Sequence, residues 1–235
     1  MSENTIAAFP PKKPIFVVDP AVAHCELDAF NGVMRRAPQG STFRYFAPAL
    51  FGIEELLESL ETPLAIIIFG SSASVYDGLP WQDEFHQWVR EQVTAKVPTL
   101  GLCYGHQLLA ALFGGKVGLG FDGEKKRGFR SFEISRNCRL PLRNFRGACV
   151  VSHKEVVLDS GVLEIIAESD SVVCEGLEHP RLPAWGFQAH VEATAGFLRN
   201  RGMPPANSLD DFAFGHEVVD AFLKYAFKQA RHNET

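Results

Sequence analysis

Apolar runs alternate with amphipathic stretches over the first half of the chain. Continuous apolar runs cover residues 15–18 and 64–69, and the short segment 99–102 has the same character. Between them, 24–36 and 81–93 place apolar residues at helical spacing. Buried strands that alternate with helices are typical of βαβ units, whose mostly parallel sheet is covered by helices on both faces. The pattern therefore predicts an α/β fold.

The remaining pattern completes this sheet and adds an antiparallel section to it. In the first half we also predict a strand over 43–46 and helices over 54–60 and 107–113. From about residue 129 the candidate strands become short and closely spaced, at 129–135, 148–152, 156–158, 163–168 and 172–175. Such spacing favours an antiparallel extension of the same sheet. A further strand and a closing helix follow, over 184–189 and 209–231.

The chain is predicted to be one domain over 14–235 that follows a mobile arm over 1–13. Pro10 and Pro11 prevent regular structure in that arm. The chain has 235 residues, of which 46% are apolar and 22% charged. This composition is that of an ordinary globular protein, and a chain of this length can bury a full core without disulfides or metals.

Charge and cysteine content limit the classes of function that are open. The net charge of −5 argues against general nucleic-acid binding. No apolar run approaches the length of a membrane span, and the N-terminus lacks the apolar core of a secretory signal. The five cysteines are widely spaced without a C-x-x-C pair, which argues against a disulfide framework or a zinc cluster. We therefore expect a cytoplasmic protein with no membrane or nucleic-acid partner.

One segment departs from the overall acidity. Residues 121–150 contain eight basic and three acidic residues, a local charge of +5, whereas the rest of the chain carries −10. Such a segment can dock an acidic partner protein or bind a phosphorylated acceptor. It can equally be the solvated face of the antiparallel section, and we prefer this simpler interpretation.

The junction between the strand at 99–102 and the following helix has the pattern of a nucleophile elbow. Gly101 and Gly105 flank Cys103 in the arrangement G-x-nucleophile-x-G. A sharp strand-to-helix turn crowds its neighbours, so both glycines have a steric reason to be there. The turn sets the thiol at a helix N-terminus, where partial positive charge favours the reactive thiolate. A buried cysteine in a tight turn is the alternative, and the paired glycines favour the nucleophile.

A cysteine nucleophile needs a base and a group that orients that base. His190 follows the strand at 184–189, and Glu192 comes two residues later. Residues i and i+2 at a strand end project to the same side, so Glu192 can hold one imidazole nitrogen while the other faces the thiol. An H-x-E triplet is common by chance and is weak evidence alone. Its occurrence together with the Cys103 elbow favours a catalytic role. His106 follows the elbow onto the helix and is expected to point away from the thiol. Apart from His153, the other histidines are interpreted as surface or satisfied residues, namely His24, His86, His179, His216 and His232.

Together these residues resemble the class I glutamine amidotransferases, the family that includes the amidotransferase domain of GMP synthetase. The family elbow G-x-C-x-G-x-Q is present over 101–107, and G-x-Q-x-H-P-E is present over 186–192 with Val191 in place of proline. The turn G-G-P-x-S-V resembles 70–75, and S-H-x-D-x-V resembles 152–157. The four motifs occur in family order across roughly 14–195. The resemblance implies a flavodoxin-like α/β sheet with an antiparallel extension.

The resemblance also implies roles for individual residues. Cys103 would attack the side-chain amide carbon of L-glutamine, and His190, oriented by Glu192, would act as base and then as acid. The backbone amides of Ser71 and Tyr104 would form the oxyanion hole. The substrate contacts would come from Gly70, Gln107, Ser152, His153 and Glu155. The intermediate would be a γ-glutamyl thioester that water resolves to glutamate, with no metal or organic cofactor.

Three functions remain open at this point. The leading one is a glutamine amidotransferase that delivers ammonia to an acceptor on a separate synthase chain. A γ-glutamyl peptidase would form the same thioester but release an amine larger than ammonia. A non-catalytic regulatory or binding module on the same fold is the third, and the intact Cys103, His190, Glu192 and Gln107 count against it. The match ends near residue 195, so we expect no synthase domain in the roughly 40 residues that follow.

Overall fold

The computed structural model describes residues 13–120 and 122–233, so the predicted arm over 1–13 lies outside the described residues except for Lys13. The described part of the chain contains eleven strands. In chain order they are β1 (Ile15–Val18), β2 (Phe43–Phe46), β3 (Ala65–Ile68), β4 (Thr99–Leu102), β5 (Lys116–Leu119), β6 (Lys126–Ile134), β7 (Arg146–His153), β8 (Glu155–Asp159), β9 (Glu164–Glu168), β10 (Gly176–Glu178) and β11 (Ala184–Phe187).

Nine of these strands form one sheet in the order β2-β1-β3-β4-β11-β10-β9-β6-β7, as far as the described residues extend. The first five strands of that order run parallel to one another. From β11 onward every neighbouring pair is antiparallel. Strands β5 and β8 form a separate antiparallel pair. The predicted α/β fold, with its mostly parallel sheet and antiparallel extension, is confirmed.

Helices cover both faces of the sheet. They are α1 (Leu27–Arg36), α2 (Pro48–Phe51), α3 (Glu54–Leu57), α4 (Gln82–Thr94), α5 (Tyr104–Leu112), α6 (Ala195–Asn200) and α7 (Ala213–Asn233), with a 3-10 turn over Leu209–Phe212. Alternate residues of β1 enter two separate cores: Ile15 packs with α1 and α7, whereas Phe16 packs with α4 and α5. No helix among the described residues is long and apolar enough to cross a membrane.

Two predicted elements are wrong in position. The predicted strand over 172–175 is absent, and the strand lies just after it at β10. A turn occupies the earlier position because the Ser169 hydroxyl accepts a hydrogen bond from the amide of Val172, at 3.1 Å. The single helix predicted over 209–231 is divided, because Ser208 and Asp211 form a capping box on the 3-10 turn before α7 begins.

Several boundaries also differ from the prediction. The helix predicted to start at residue 24 starts at Leu27, and the one predicted over 54–60 ends at Leu57. The helix predicted over 107–113 begins at Tyr104, directly after Cys103. The short elements α2, β5 and α6 have no counterpart in the prediction. They are four to six residues long, which is too short for a periodic pattern to show.

Candidate active site

Cys103 occupies the junction of β4 and α5 in a strained backbone conformation. Its φ is +50° and its ψ is −97°, outside the regions that non-glycine residues commonly adopt. Such strain persists only where surrounding structure enforces it, and it is concentrated at functional sites. The thiol is almost completely buried, with 3% of the residue exposed.

The two glycines of the elbow are required by close approach. A Cβ atom on Gly101 would lie 2.3 Å from the carbonyl oxygen of Gly105. A Cβ atom on Gly105 would lie 2.6 Å from the carbonyl oxygen of Ile68, at the end of β3. Neither position has room for a side chain, so α5 can start directly above the ends of β3 and β4. The steric argument made from the sequence therefore describes the actual packing.

The α5 N-terminus places free backbone donors beside the thiol. The helix begins at Tyr104, and the Tyr104 amide donates no hydrogen bond to any described residue. Unpaired N–H groups and the helix dipole produce a positive potential at this end.

His190 and Glu192 form a buried pair next to Cys103. Nδ1 of His190 donates to Oε1 of Glu192 at 2.9 Å, and the backbone amide of His190 is fixed by the carbonyl oxygen of Val150 at 2.8 Å. Burial alone would lower the pKa of His190. The charges of Glu192 and Cys103, and hydrogen bonds to both groups, outweigh burial and raise this pKa to about 10. This environment favours a protonated imidazolium beside Cys103.

The loop after β3 covers this pair. A Cβ atom on Gly70 would lie 2.6 Å from Cε1 of His190 and 3.3 Å from Cβ of Cys103. The neighbouring Ser71 accepts a hydrogen bond at its hydroxyl from the Ala73 amide, at 3.1 Å. Its own amide donates to no described residue. The structure thus brings Gly70 against the thiol and the imidazole, while the oxyanion roles of Ser71 and Tyr104 stay a prediction.

The side chain of Gln107 joins the elbow to the segment after β7. Its Nε2 donates to the carbonyl oxygen of Glu155 at 2.8 Å and to Oε1 of Gln188 at 3.3 Å. Nε2 of Gln188 in turn lies 3.7 Å from Sγ of Cys103. The structure therefore joins two of the predicted substrate residues, Gln107 and Glu155, and connects Gln107 to the nucleophile through Gln188. Gln188 was part of a matched motif, but the sequence analysis gave it no role.

The predicted substrate residues over 152–155 differ in environment. The Ser152 hydroxyl is buried and has no hydrogen-bond partner among the described residues. Nδ1 of His153 lies 3.1 Å from the carbonyl oxygen of Glu155, and its Nε2 lies 2.9 Å from Nη2 of Arg130. Burial and the Arg130 charge lower the pKa of His153 to about 3, so its imidazole is neutral. The Glu155 carboxylate makes no hydrogen bond or ion pair with the described residues.

Comparison with known proteins decides the family. The model of the glutamine amidotransferase class-I family matches residues 44–202, which is more than half of the chain. The chain belongs to this family. Solved structures share its fold: a glutamine amidotransferase from Thermotoga maritima has a TM-score of 0.72 at 19% identity, covering 93% of this chain and 100% of that one. A glutamine amidotransferase from Methylobacillus flagellatus has a TM-score of 0.68 at 17% identity, covering 92% and 94%.

Curated relatives of this amidotransferase-family chain include GMP synthases. The glutamine-hydrolyzing GMP synthase of Clostridium perfringens is 29% identical over 167 residues, which are 68% of this chain and 30% of that protein. One subunit of the glutamine-hydrolyzing GMP synthase of Pyrococcus abyssi is 34% identical over 114 residues, 44% of this chain and 58% of that protein. The chain thus matches less than two thirds of the length of either relative.

Two residues of α4 support the amidotransferase elbow, a role that the sequence analysis gave to neither. Nε2 of Gln82 donates to the Ser74 carbonyl oxygen at 2.7 Å and to the Tyr104 hydroxyl at 3.0 Å. His86, interpreted from the sequence as a satisfied or surface residue, is partly buried with Nε2 2.8 Å from the same hydroxyl. These bonds tie the loop after β3 to α5. No spacing along the chain signals them, because they join separate elements.

A buried ion pair lies behind the substrate segment. Nη2 of Arg130 donates to Oε2 of Glu175 at 2.9 Å, and the Ser169 hydroxyl donates to the other carboxylate oxygen at 2.7 Å. Glu175 is completely buried. Because Arg130 also contacts His153, this pair fixes β7 at the point where the substrate residues begin. The sequence carries no local sign of it, since Arg130 and Glu175 are far apart along the chain.

The basic segment over 121–150 is partly neutralised by carboxylates in the structure. Three of its eight cations are paired with carboxylates: Arg130 with Glu175, Arg139 with Glu178 and Lys126 with Asp122. Arg139 also stacks over the Trp185 ring, 5.3 Å from its centroid. These ion pairs therefore compensate part of the local excess of positive charge.

The titratable groups outside the candidate site offer no metal centre within the described residues. No group of three or more His, Cys, Asp or Glu side chains among them is arranged to hold a metal ion. All five cysteines are free thiols. Burial raises the pKa of the Cys149 thiol above its usual range and that of Cys138 to about 12, which keeps both protonated and unreactive.

Proposed function

We propose that this member of the glutamine amidotransferase class-I family hydrolyses the side-chain amide of L-glutamine through a γ-glutamyl thioester on Cys103. The observation that carries the proposal is the hydrogen-bonded series Cys103–His190–Glu192 at a strained strand-to-helix turn. A nucleophile, a base and a buried carboxylate that orients the base are the requirements for covalent acyl transfer.

The first step forms the tetrahedral intermediate. Sγ of Cys103 attacks the side-chain amide carbon of glutamine, and Nε2 of His190 holds the proton that the thiol has lost. The amide oxygen becomes an oxyanion. The amides of Ser71 and Tyr104, which have no other partner among the described residues, are available to stabilise it. Glu192 keeps Nδ1 of His190 protonated and stabilises the imidazolium.

The second and third steps release the products. When the intermediate collapses, the carbon–nitrogen bond breaks and His190 gives its proton to the departing nitrogen, which leaves as ammonia. Water, deprotonated by Nε2 of His190, then attacks the thioester carbon. The carbon–sulfur bond breaks, glutamate leaves and the Cys103 thiol is restored. Every proton in these steps moves between the chain, the substrate and water.

The glutamyl part of the substrate is proposed to lie between Gln107 and the segment that follows β7. The Gln107 side chain already spans from α5 to the Glu155 carbonyl oxygen, beside Gln188 and Cys103. The unpaired Glu155 carboxylate is a suitable partner for the α-ammonium group. Glutamate replaces the aspartate of the family motif here, so the ammonium would lie about one methylene further from the backbone.

We further propose that the ammonia is used by an acceptor site on a separate protein. The support is a relative: the matched Pyrococcus abyssi protein is named as one subunit of a GMP synthase. On this proposal, the isolated chain releases ammonia to water, and a partner that covers the site captures it.

A coupled assay of ammonia and glutamate tests the reaction. With L-glutamine we expect equal amounts of both products, no activity in Cys103→Ala and a steep loss in His190→Ala. Cys174→Ala is the matched control, because Cys174 is buried to the same extent as Cys103 and lies outside the site. Full activity in Cys103→Ala, with normal folding, would show that the mechanism is wrong.

A further inference from the structure

Gln82 is a buried amide side chain at the start of α4, with 1% of the residue exposed. Its Oε1 accepts a hydrogen bond from the backbone amide of Leu79 at 2.8 Å. Its Nε2 donates to the carbonyl oxygen of Ser74 at 2.7 Å and to the Tyr104 hydroxyl at 3.0 Å. The two backbone partners fix the orientation of the amide, because a backbone N–H donates and a carbonyl oxygen accepts. Both hydrogens of Nε2 are therefore used.

The Tyr104 hydroxyl continues this network. It accepts a hydrogen bond from Gln82, so its own hydrogen is free to be donated. Nε2 of His86 lies 2.8 Å from the hydroxyl oxygen. Burial lowers the pKa of His86, so the imidazole is neutral and its Nε2 can accept this hydrogen. The Trp81 ring also packs against the Tyr104 ring, with centroids 5.9 Å apart. The first residue of α5 is thus held from the side of α4.

The Gln82 amide also anchors the loop over 70–79, which follows β3. Ser71 lies near the start of this loop. After Ser71, the first hydrogen bond to another element within the described residues is the one that Ser74 accepts from Gln82. The far end of the loop is fixed at Leu79, whose amide donates to Gln82 Oε1 and whose carbonyl oxygen accepts from the Gln82 amide at 2.9 Å. One side chain therefore fixes this loop at two points.

The two elements that Gln82 joins carry the two amides predicted to form the oxyanion hole. Ser71 belongs to the loop, and Tyr104 begins α5. Neither amide donates a hydrogen bond to a described residue. An oxyanion is stabilised well only when both donors lie within hydrogen-bond distance of it. The spacing between the loop and α5 therefore determines whether both amides can reach the same oxygen.

Close packing limits this spacing from one side only. A Cβ atom on Gly70 would lie 2.6 Å from Cε1 of His190 and 3.3 Å from Cβ of Cys103. The loop therefore has no room to move closer to the nucleophile. Packing does not prevent the opposite movement, away from α5. The hydrogen bonds from Nε2 of Gln82 to both elements do.

We propose that Gln82 is a positioning residue that sets the spacing between the oxyanion-hole amides of Ser71 and Tyr104. It acts through the Ser74 carbonyl oxygen and the Tyr104 hydroxyl. This inference rests on the proposed thioester chemistry and on the predicted roles of the two amides. Loss of the Gln82 amide should therefore weaken stabilisation of the tetrahedral intermediate and leave the binding of ground-state glutamine unchanged.

Gln82→Met tests this role, because methionine has nearly the same length and cannot make these hydrogen bonds. We expect kcat for L-glutamine to fall about 10- to 100-fold, since small misplacements of catalytic groups have effects of this order. KM should stay within about twofold. Gln87→Met is the matched control, because Gln87 is an exposed residue of the same helix whose amide donates to Glu91. It should change neither constant.

A substrate with sulfur in place of oxygen gives a readout that a general loss of structure would not move. In the γ-thioamide analogue of L-glutamine, the atom that enters the oxyanion hole is larger and accepts hydrogen bonds poorly. Both substrates release ammonia, so one assay gives kcat/KM for each. The ratio of glutamine to thioamide should be several-fold smaller in Gln82→Met than in the wild type. A displaced nucleophile or a smaller folded fraction would lower both values equally and leave the ratio unchanged.

Tyr104→Phe is a second variant that leaves Gln82 in place. It removes the hydroxyl and keeps the Tyr104 backbone amide and ring. Because the bond from Gln82 to Ser74 remains, we expect a smaller loss of kcat than in Gln82→Met and a decrease of the substrate ratio in the same direction. The double variant should resemble Gln82→Met alone, since both changes act on one contact. If Gln82→Met does not fold, Tyr104→Phe carries the comparison.

Ground-state binding is measured without turnover in the Cys103→Ala background. Calorimetry with L-glutamine should give dissociation constants within about twofold of each other with and without Gln82→Met, because ground-state binding does not use the oxyanion hole. Circular dichroism and thermal unfolding show whether each variant is folded.

The possible outcomes separate this inference from the proposed function. Unchanged kcat in the folded variants, or an unchanged substrate ratio, would overturn the positioning role of Gln82. A ground-state affinity that falls as much as kcat/KM would overturn it as well. In each of these cases, Cys103-dependent hydrolysis of L-glutamine by the wild type would leave the proposed function intact. Failure of the folded wild type to hydrolyse L-glutamine would instead contradict the proposed function itself.

Discussion

Cys103, the proposed nucleophile, has a costly backbone conformation. A non-glycine residue at φ +50° and ψ −97° costs on the order of 1–3 kcal/mol. Gly101 and Gly105 pack so closely against neighbouring backbone that neither position has room for a Cβ atom. The strain presents Sγ to His190 and leaves the Tyr104 amide unpaired.

At the residue scale, Glu192→Gln tests how the imidazole is oriented and charged. The amide has nearly the same shape but cannot stabilise an imidazolium, so we expect kcat to fall on the order of 10³–10⁴-fold. The charge of Glu192 also raises the pKa of His190, so its loss lowers that pKa. A neutral imidazole no longer stabilises negative charge on the Cys103 sulfur. The rate of Cys103 alkylation by iodoacetamide is measured from pH 5 to 10. We expect the rise of this rate with pH to occur at higher pH in the variant than in the wild type.

The matched control for this variant is Glu164→Gln, since Glu164 is an exposed carboxylate on β9. Its alkylation profile should coincide with that of the wild type. If the Glu192→Gln profile also coincided, Glu192 would not determine the charge of His190.

The burial of His106 leads to a second, independent prediction about a single residue. It is completely buried, and burial lowers its pKa to about 4, whereas an unfolded histidine titrates near 6.5. Between these two values the unfolded state binds a proton that the folded state does not. The free energy of unfolding therefore falls as the pH falls from 6.5 to 4, by roughly 3 kcal/mol from this residue.

The measurement is urea unfolding of the wild type and of His106→Asn at pH 7, 5.5 and 4.5. The variant lacks the titrating group, so its free energy of unfolding should decline less steeply with acidification, whatever its value at pH 7. Parallel pH dependences would mean that His106 does not remain neutral in the folded protein.

Among the elements, the antiparallel extension positions the substrate segment through buried charges. Arg130 of β6 joins His153 at the end of β7 to Glu175, just before β10. A charge this deeply buried is stable only when it is paired and hydrogen-bonded. The extension therefore behaves as one packed unit behind the candidate site.

Glu175→Gln should destabilise the protein by about 3 kcal/mol, because it leaves the Arg130 guanidinium without its counter-charge. Urea unfolding at pH 7 measures the change. Glu164→Gln again serves as the control and should change the free energy of unfolding by less than about 0.5 kcal/mol. A Glu175→Gln value within that same range would show that the buried pair does not hold the extension together.

The elements that the sequence predicts well are those with a local cause. β1, β2 and β4 have the predicted bounds, because each hydrophobic run is closed by turn or polar residues. The strand predicted over 172–175 fails because Ser169 and Val172 form a turn there. Glu175, at the end of that segment, is held by Arg130, which lies 45 residues earlier. Hydrophobic pattern carries no information about such a pairing.

The candidate site likewise contains residues that a local motif reveals and residues that only the folded structure reveals. Cys103, His190 and Glu192 could be picked out because each belongs to a short motif whose spacing has a mechanical reason. Gln82 and His86 could not, since their role depends on the packing of α4 against Tyr104.

On the scale of the whole molecule, topology assembles the site. The loop with Gly70 follows β3, Cys103 follows β4 and His190 follows β11, and these three strands are neighbours in the parallel part of the sheet. In open α/β sheets the carboxyl ends of parallel strands are where ligands bind. Residues that are distant in sequence therefore meet at one edge, which is the arrangement that the family fold provides.

Covalent trapping tests the central claim most directly. A diazoketone analogue of L-glutamine carries an electrophilic carbon at the position of the side-chain amide and alkylates a nucleophile that binds glutamine. Peptide mass spectrometry should find one adduct per chain, on Cys103, and the rate of labelling should fall in His190→Ala. An unmodified Cys103 in folded protein, or labelling of the partly exposed Cys25 instead, would contradict the account.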